Sequence, residues 1–199
     1  MKVLIATHNP GKLKELSKFL KHFGIKSISL QDLKIKTDVK ETGKTFEENA
    51  LLKAMHFCQK TNYPTLADDS GIEIDALDGA PGVKSRRWTG KRMTDQELID
   101  YTLKKLKKVP KKKRNCHLVT VLSLVLPDMK EFTARASIDG EITDKQMLPI
   151  IKGYPFRSIF YVPKFNKMLG ELTNHQHEQI NHRLKALKQL KPFLKTHCK

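Results

Sequence analysis

A chain of 199 residues suits one domain of ordinary size or two small lobes sharing a core. Its hydrophobic fraction of 39% is that of a globular protein, and no run of about 18 apolar residues is present, so no membrane-spanning helix is expected. The formal net charge of +17 points toward anionic partners, while three widely spaced cysteines (Cys58, Cys116 and Cys198) argue against a disulfide framework and for a reducing cytoplasm.

Val3–Ala6 reads as a buried strand, and the apolar start is too short for a signal peptide. His8-Asn9-Pro10-Gly11 is a turn signal. Leu13, Leu16, Phe19, Leu20 and Phe23 then recur at helical spacing, and Gly24 can end that helix. A strand that turns sharply into a helix presents free backbone N–H groups and the positive end of the helix dipole. Thr7, His8, Asn9, Pro10, Gly11 and Lys12 are therefore a candidate phosphate cradle, although a purely structural turn competes and the spacing is not that of a Walker loop.

Thr45 and Glu48 make a capping-box pattern before Ala50, Leu51, Ala54 and Met55, and this second helix ends near Thr61–Pro64. Asn49 and Lys53 share one of its faces, where the lysine can meet a phosphate. Thr65-Leu66-Ala67 leads as a short strand into Asp68-Asp69-Ser70-Gly71, and Ile72 and Ile74 suggest extended chain beyond. Glu41, Glu48, Asp68 and Asp69 are hard oxygen donors of the kind Mg²⁺ takes one or two at a time. If the chain is extended there, Asp68 and Asp69 point to opposite faces, so one faces a given site and the other caps or pairs elsewhere.

Ala80-Pro81-Gly82 is a loop, and Arg86 and Arg87 after it suit phosphate oxygens. Thr94 and Glu97 repeat the capping-box pattern and open a third helix to about Lys108. The basic run Lys104–Arg114 is broken by Pro110 and carries no interleaved aromatic, so it reads as a helix end and solvated loop rather than a base-stacking platform. Nucleic acid is accordingly not an expected partner.

Leu118–Leu126 is apolar on both faces, as a central strand is. Pro127-Asp128 begins a turn, and Phe132, Ala134, Ala136 and Ile138 alternate like a half-buried antiparallel partner. Ile159–Val162 is another short strand and Glu178–Leu190 a final amphipathic helix. Tyr154, Phe156 and Tyr161 are either core aromatics or a stacking surface for a base. Arg183 only donates hydrogen bonds, so as a base reader it would favour a purine with an oxygen at position 6. His175, His177 and His182 lack the cysteine or carboxylate spacing that supports a zinc site. Helices and strands mix throughout, with one hairpin, which indicates an α/β fold with a mixed sheet.

Several stretches together closely resemble the inosine triphosphate pyrophosphatase family, which removes non-standard purine triphosphates such as ITP, dITP and XTP. They are Ile5 through Lys12, Glu41 through Ala50 with Lys53-Ala54, Ala67 through Gly71, Leu77 through Val83, and Ser85-Arg86-Arg87. The resemblance spans nearly the whole chain in order. It implies a single domain over residues 1–199 with an elongated mixed sheet, flanking helices, two lobes around a central cleft, and a homodimer. By position it implies that Thr7 to Lys12 hold the triphosphate, that Glu41 and Asp69 bind Mg²⁺, that Lys53, Ser70 and Arg86 touch phosphate, and that Asp69 accepts the proton of the attacking water. Cleavage would fall between the α- and β-phosphates.

The C-terminal half departs from the family pattern. Where the family has Phe-Gly-Tyr/Trp-Asp, this chain has Tyr154-Pro155-Phe156-Arg157, and the family's later lysine falls on His177. Its Ser-His-Arg becomes Asn181-His182-Arg183. Two further readings follow: the same chemistry on a different or broader set of nucleotides, or a catalytically silent nucleotide- or nucleic-acid-binding protein.

Overall fold

The computed structural model describes residues 2–198, which hold seven strands and five α-helices; strands and helices alternate only up to the fourth strand, after which three further strands and then two helices follow one another. The strands are β1 (Val3–Ala6), β2 (Ser27–Ser29), β3 (Thr65–Ile74), β4 (Asn115–Val125), β5 (Glu131–Ile142), β6 (Phe160–Val162) and β7 (Lys167–Met168). The helices are α1 (Pro10–His22), α2 (Phe46–Thr61), α3 (Asp95–Lys105), α4 (Asn174–Ile180) and α5 (His182–His197). One sheet runs in the order β2-β1-β3-β4-β5-β6-β7. It is mixed: β1 pairs in parallel with β2 and β3, whereas β6 pairs antiparallel with β5 and β7. The apolar strand β4 takes the central place that its two-faced pattern requires.

The chain divides into two compact units, one made of Met1–Ser70, Thr120–Ala136 and His182–Lys199, the other of Gly71–Val119 and Ser137–Asn181. In the first unit, the pleat of β1 separates two cores. Val3 and Ile5 pack with Leu16, Phe19 and Leu20 of α1 and Ala186, Leu187, Leu190 and Leu194 of α5. Leu4 and Ala6 pack with Ala54, Phe57 and Cys58 of α2. Alternate side chains of a strand point to opposite faces, so helices cover both sides of β1. In the second unit, Ile72, Ile74, Ile99, Ile138, Ile159, Phe160 and Ile180 share a third core.

The ends of the helices show where local chemistry held and where it did not. Thr94 forms the full capping box with Glu97 at the start of α3. Thr45 accepts from Glu48 N at 3.1 Å, but the Glu48 carboxylate accepts from Lys44 N, so α2 has only half of the expected box. β3 runs straight through Asp68-Asp69-Ser70-Gly71, so the short strand expected at Thr65–Ala67 and the extended chain beyond it are one element. The single final helix expected over 178–190 is two helices, α4 and α5, parted at Asn181, whose extended ψ of 114° stops the α-helical turn. Sequence reading also passed over β2 and β7, which are only three and two residues long.

Candidate active site

The first turn of α1 is built by Asn9. Its side-chain oxygen accepts from Gly11 N at 2.9 Å and Lys12 N at 3.2 Å, while Asn9 N donates to Thr7 Oγ1 at 3.1 Å. These N–H groups are therefore not free, as the sequence had suggested. Pro10 opens the helix and lacks a donor, and Asn9 satisfies the two donors after it. What α1 offers an anion is the side chain of Lys12. His8 is exposed and its Nε2 lies 3.0 Å from the Thr37 carbonyl.

The Lys12 ammonium meets Asp68 Oδ1. Asp68 Oδ2 accepts from Arg183 Nε at 2.8 Å, and the same guanidinium reaches Glu15 Oε2 at 3.1 Å and Ser70 Oγ at 3.0 Å. Asp68 is thus held by two cations within the first unit. Burial opposes its charge, yet Arg183 and Lys12 hold its carboxyl far below the usual range. Burial pulls Lys12 below the ordinary lysine value, and Asp68 resists that while Arg183 and Lys53 add to it.

Asp69, the next residue on β3, pairs with α2 instead. Lys53 Nζ lies 3.5 Å from Asp69 Oδ1, donates to Glu41 Oε1 at 2.8 Å, and donates to the Asp68 carbonyl at 2.8 Å. Strand alternation thus sends the two neighbouring carboxylates to different helices, as the extended reading required. Burial works against the Lys53 charge, but Asp69 and Glu41 hold its pKa above normal. Burial raises the pKa of Asp69 against the pull of Lys53 and Lys12. One turn before Lys53, Asn49 Oδ1 accepts from Gly43 N at 2.8 Å, so one face of α2 grips the loop that carries Glu41.

Glu41 and Asp69 are the pair able to hold a hard cation. They already share one positive charge, the Lys53 ammonium, and Asp69 Oδ2 is buried with no hydrogen-bond partner among the described residues. No group of three His, Cys, Asp or Glu fit to hold a metal occurs among those residues, but a cation that keeps most of its waters needs only one or two carboxylates.

The other candidates lie in the second unit. Arg86 donates to Asp95 Oδ1 at 2.5 Å and to the Gly153 carbonyl at 2.8 Å, and Gly153 N donates to Asp95 Oδ2 at 2.7 Å. Phe156 is buried in the core of that unit. Tyr154 is half-buried, with the Arg157 guanidinium 4.6 Å from its ring centre. Arg157 Nη2 also lies 3.4 Å from His177 Nε2, so two of the departures from the family pattern are neighbours. His182 and Arg183 belong to the first turn of α5, both buried. Sequence reading missed Glu15 and Asp95. Glu15 sits one turn after Lys12 on α1, which is a signal of a shared face; nothing in the sequence links Asp95 to Arg86 or Gly153.

Residues 3–193 match the model of the Ham1 family. This chain belongs to the Ham1 family. Among its Ham1 relatives, a protein named dITP/XTP pyrophosphatase from Thermoanaerobacter pseudethanolicus is 38% identical over 194 residues, covering 98% of this chain and 96% of the relative. The Ham1 protein of Staphylococcus aureus superposes with a TM-score of 0.84 at 35% identity, covering 98% of this chain and 99% of the other. The HAM1 protein of Coxiella burnetii gives 0.86 at the same identity and coverage. The mixed α/β fold with a seven-stranded sheet flanked by helices is therefore the Ham1 fold.

Proposed function

We propose that this Ham1 chain hydrolyses non-standard purine nucleoside triphosphates of the dITP, ITP and XTP kind to the monophosphate and pyrophosphate, with Mg²⁺ as cofactor. The observation that carries the reading is Lys53 shared between Glu41 and Asp69, beside a Lys12 that Asp68 holds at the start of α1. Two cations for phosphate oxygens and two carboxylates for a metal stand together in one unit. The names of the relatives at 38% identity support the same activity.

The chemistry asks for charge neutralisation and positioning more than for covalent work by the protein. Lys12 and Lys53 counter the phosphate charge, with Ser70 as a further phosphate contact; the family resemblance assigns the same task to Arg86. Thr7, His8, Asn9, Pro10 and Gly11 shape the turn that carries Lys12. Glu41 and Asp69 would hold Mg²⁺, whose chemistry there would be to neutralise phosphate oxygens and to acidify water. Asp69 takes the proton as the water oxygen forms its bond to phosphorus and the α–β bridging bond breaks. Tyr154, Phe156, Arg157, His177 and His182 are assigned by the resemblance to the base end of the substrate, whereas Arg183, expected there too, spends its guanidinium on Asp68, Glu15 and Ser70 and steadies the phosphate side instead.

Among the described residues no helix is long and apolar enough to cross a membrane, and Cys58, Cys116 and Cys198 are free and buried. These observations support work in a reducing cytoplasm, and the family resemblance supports a homodimer. The deciding experiment is pyrophosphate release from ITP, dITP, XTP, ATP, GTP and dUTP with Mg²⁺. Preferential turnover of the first three is expected; negligible turnover of all six would end the reading.

A second reading, a shifted or broader base range, is favoured by Arg157 lying on Tyr154 and beside His177, a cation where the family carries an acid. Arg157→Asp would then reorder the base ranking. An unchanged ranking would remove position 157 from base reading.

A further inference from the structure

Asp68 touches three helices that the chain brings together from far apart. Its carboxylate meets Lys12 on α1 and accepts from Arg183 on α5, and its backbone carbonyl accepts from Lys53 on α2 at 2.8 Å. Its side chain is fully buried, whereas that of Lys12 keeps 17% of its surface exposed. Arg183 is itself anchored by Glu15 and Ser70, so the anion that faces Lys12 has little freedom to move.

We infer that Asp68 is a positioning residue for phosphate binding: its carboxylate pins the Lys12 ammonium against Arg183, and its carbonyl orients Lys53. The inference rests on the proposed triphosphate site and assigns to Asp68 a task that differs from that of Asp69. A lysine on a flexible four-carbon stem holds one place only when its charge is answered. Without the Asp68 charge, Lys12 and Arg183 would be adjacent cations in a poorly solvated site, and the more exposed Lys12 would swing out to solvent.

The alternative is that Asp68 is merely a buried negative charge near an anion site. The two ideas predict opposite signs. As a bystander, Asp68 repels phosphate, so Asp68→Asn tightens anion binding. As a positioning residue, its loss weakens binding.

The test is calorimetric titration of inorganic tripolyphosphate, with chelator present, into the wild type, Asp68→Asn, Lys12→Met and the double variant. It is accompanied by kcat/KM for ITP and thermal melts. Asp68→Asn that melts cooperatively should lose at least about tenfold in tripolyphosphate affinity and in kcat/KM. In the Lys12→Met background the same change should cost less than about threefold, because there is no ammonium left to place. A merely structural role would cost the same in both backgrounds. Equal or tighter binding by folded Asp68→Asn overturns the inference. If that variant does not fold, the double variant decides against Lys12→Met alone: matching affinities support the inference, and a further tenfold loss overturns it. A wild type that neither binds tripolyphosphate nor cleaves ITP ends the proposed function itself, whereas an active wild type with an unweakened Asp68→Asn ends only this inference.

Discussion

Lys53 and Glu41 meet at 2.8 Å, ammonium to carboxylate, and the same ammonium stands 3.5 Å from Asp69. The two carboxylates proposed to hold a divalent cation thus already share one positive charge, supplied by a side chain from α2. Ammonium and metal compete for the same oxygens. Lys53→Met should therefore strengthen binding of Mg²⁺ alone by about tenfold, the effect of removing roughly 1.4 kcal/mol of competition. Turnover should nevertheless fall by about 10²-fold, because one donor to the phosphate chain is lost. Calorimetric titration with Mg²⁺ and a pyrophosphate-release assay read the two effects; weaker metal binding in the variant would show that Lys53 does not compete for the pair.

Asp69→Asn keeps the size of the side chain and removes both its charge and its capacity to take a proton. Pyrophosphate release should drop by at least about 10²-fold. The thermal midpoint should fall little or rise, because burial disfavours the ionised carboxyl and Asp69 Oδ2 lacks a partner among the described residues. A variant with wild-type kinetics would take Asp69 out of the mechanism.

In the second unit, His117 on β4 joins two carboxylates. Its Nδ1 lies 2.8 Å from Asp139 on β5 and its Nε2 lies 3.1 Å from Asp75, after β3. The hydrogen bond with Asp139 raises its pKa above the ordinary histidine value; burial opposes this and the charges of Asp75 and Asp139 assist it. A group whose folded pKa is raised stabilises fully below its unfolded pKa, here about 6.5, and that stability is lost as pH rises through the folded value. Wild type should therefore melt above His117→Gln at roughly pH 5.5–6, where the aspartates remain ionised, and the gap should close toward pH 9. Melting curves across that range check it. A gap that widens with pH would mean that the ring packs as a neutral group.

Much of the candidate site was legible because its chemistry is local. The turn at Asn9-Pro10, the adjacent acids 68 and 69, and the Asn49/Lys53 face each follow from spacing alone, and alternation along β3 correctly divided Asp68 from Asp69. The free N–H cradle was misjudged because Asn9 caps its own helix, a competition between side chain and ligand that residue type only half reveals. The break at Asn181 was missed because Ile180 and the following apolar positions sustain a helical period across it; a cap-forming residue just before His182 was the available signal. The Arg183–Asp68 pair spans 115 positions, and no spacing rule reaches that far.

Gly43 gives a test of how tightly the loop bearing Glu41 must sit. A Cβ there would stand 2.7 Å from Asn49 Oδ1, 2.7 Å from the Glu48 Cβ and 3.0 Å from Asn49 N. The constraint is space, set by the Gly43 N–H donating to Asn49 Oδ1 at 2.8 Å at the first turn of α2. Two of the three atoms belong to the helix backbone or the first carbon of a side chain, which cannot swing away, so the loop itself must lift. Gly43→Ala should cost about 1–3 kcal/mol, the range for overpacking a close contact. Because Glu41 is two residues away, its bond to Lys53 should lengthen and catalysis should suffer with it. Urea unfolding midpoints and pyrophosphate release measured together give the answer. A loss in both is expected, whereas wild-type stability with wild-type turnover would mean that the loop yields without disturbing Glu41.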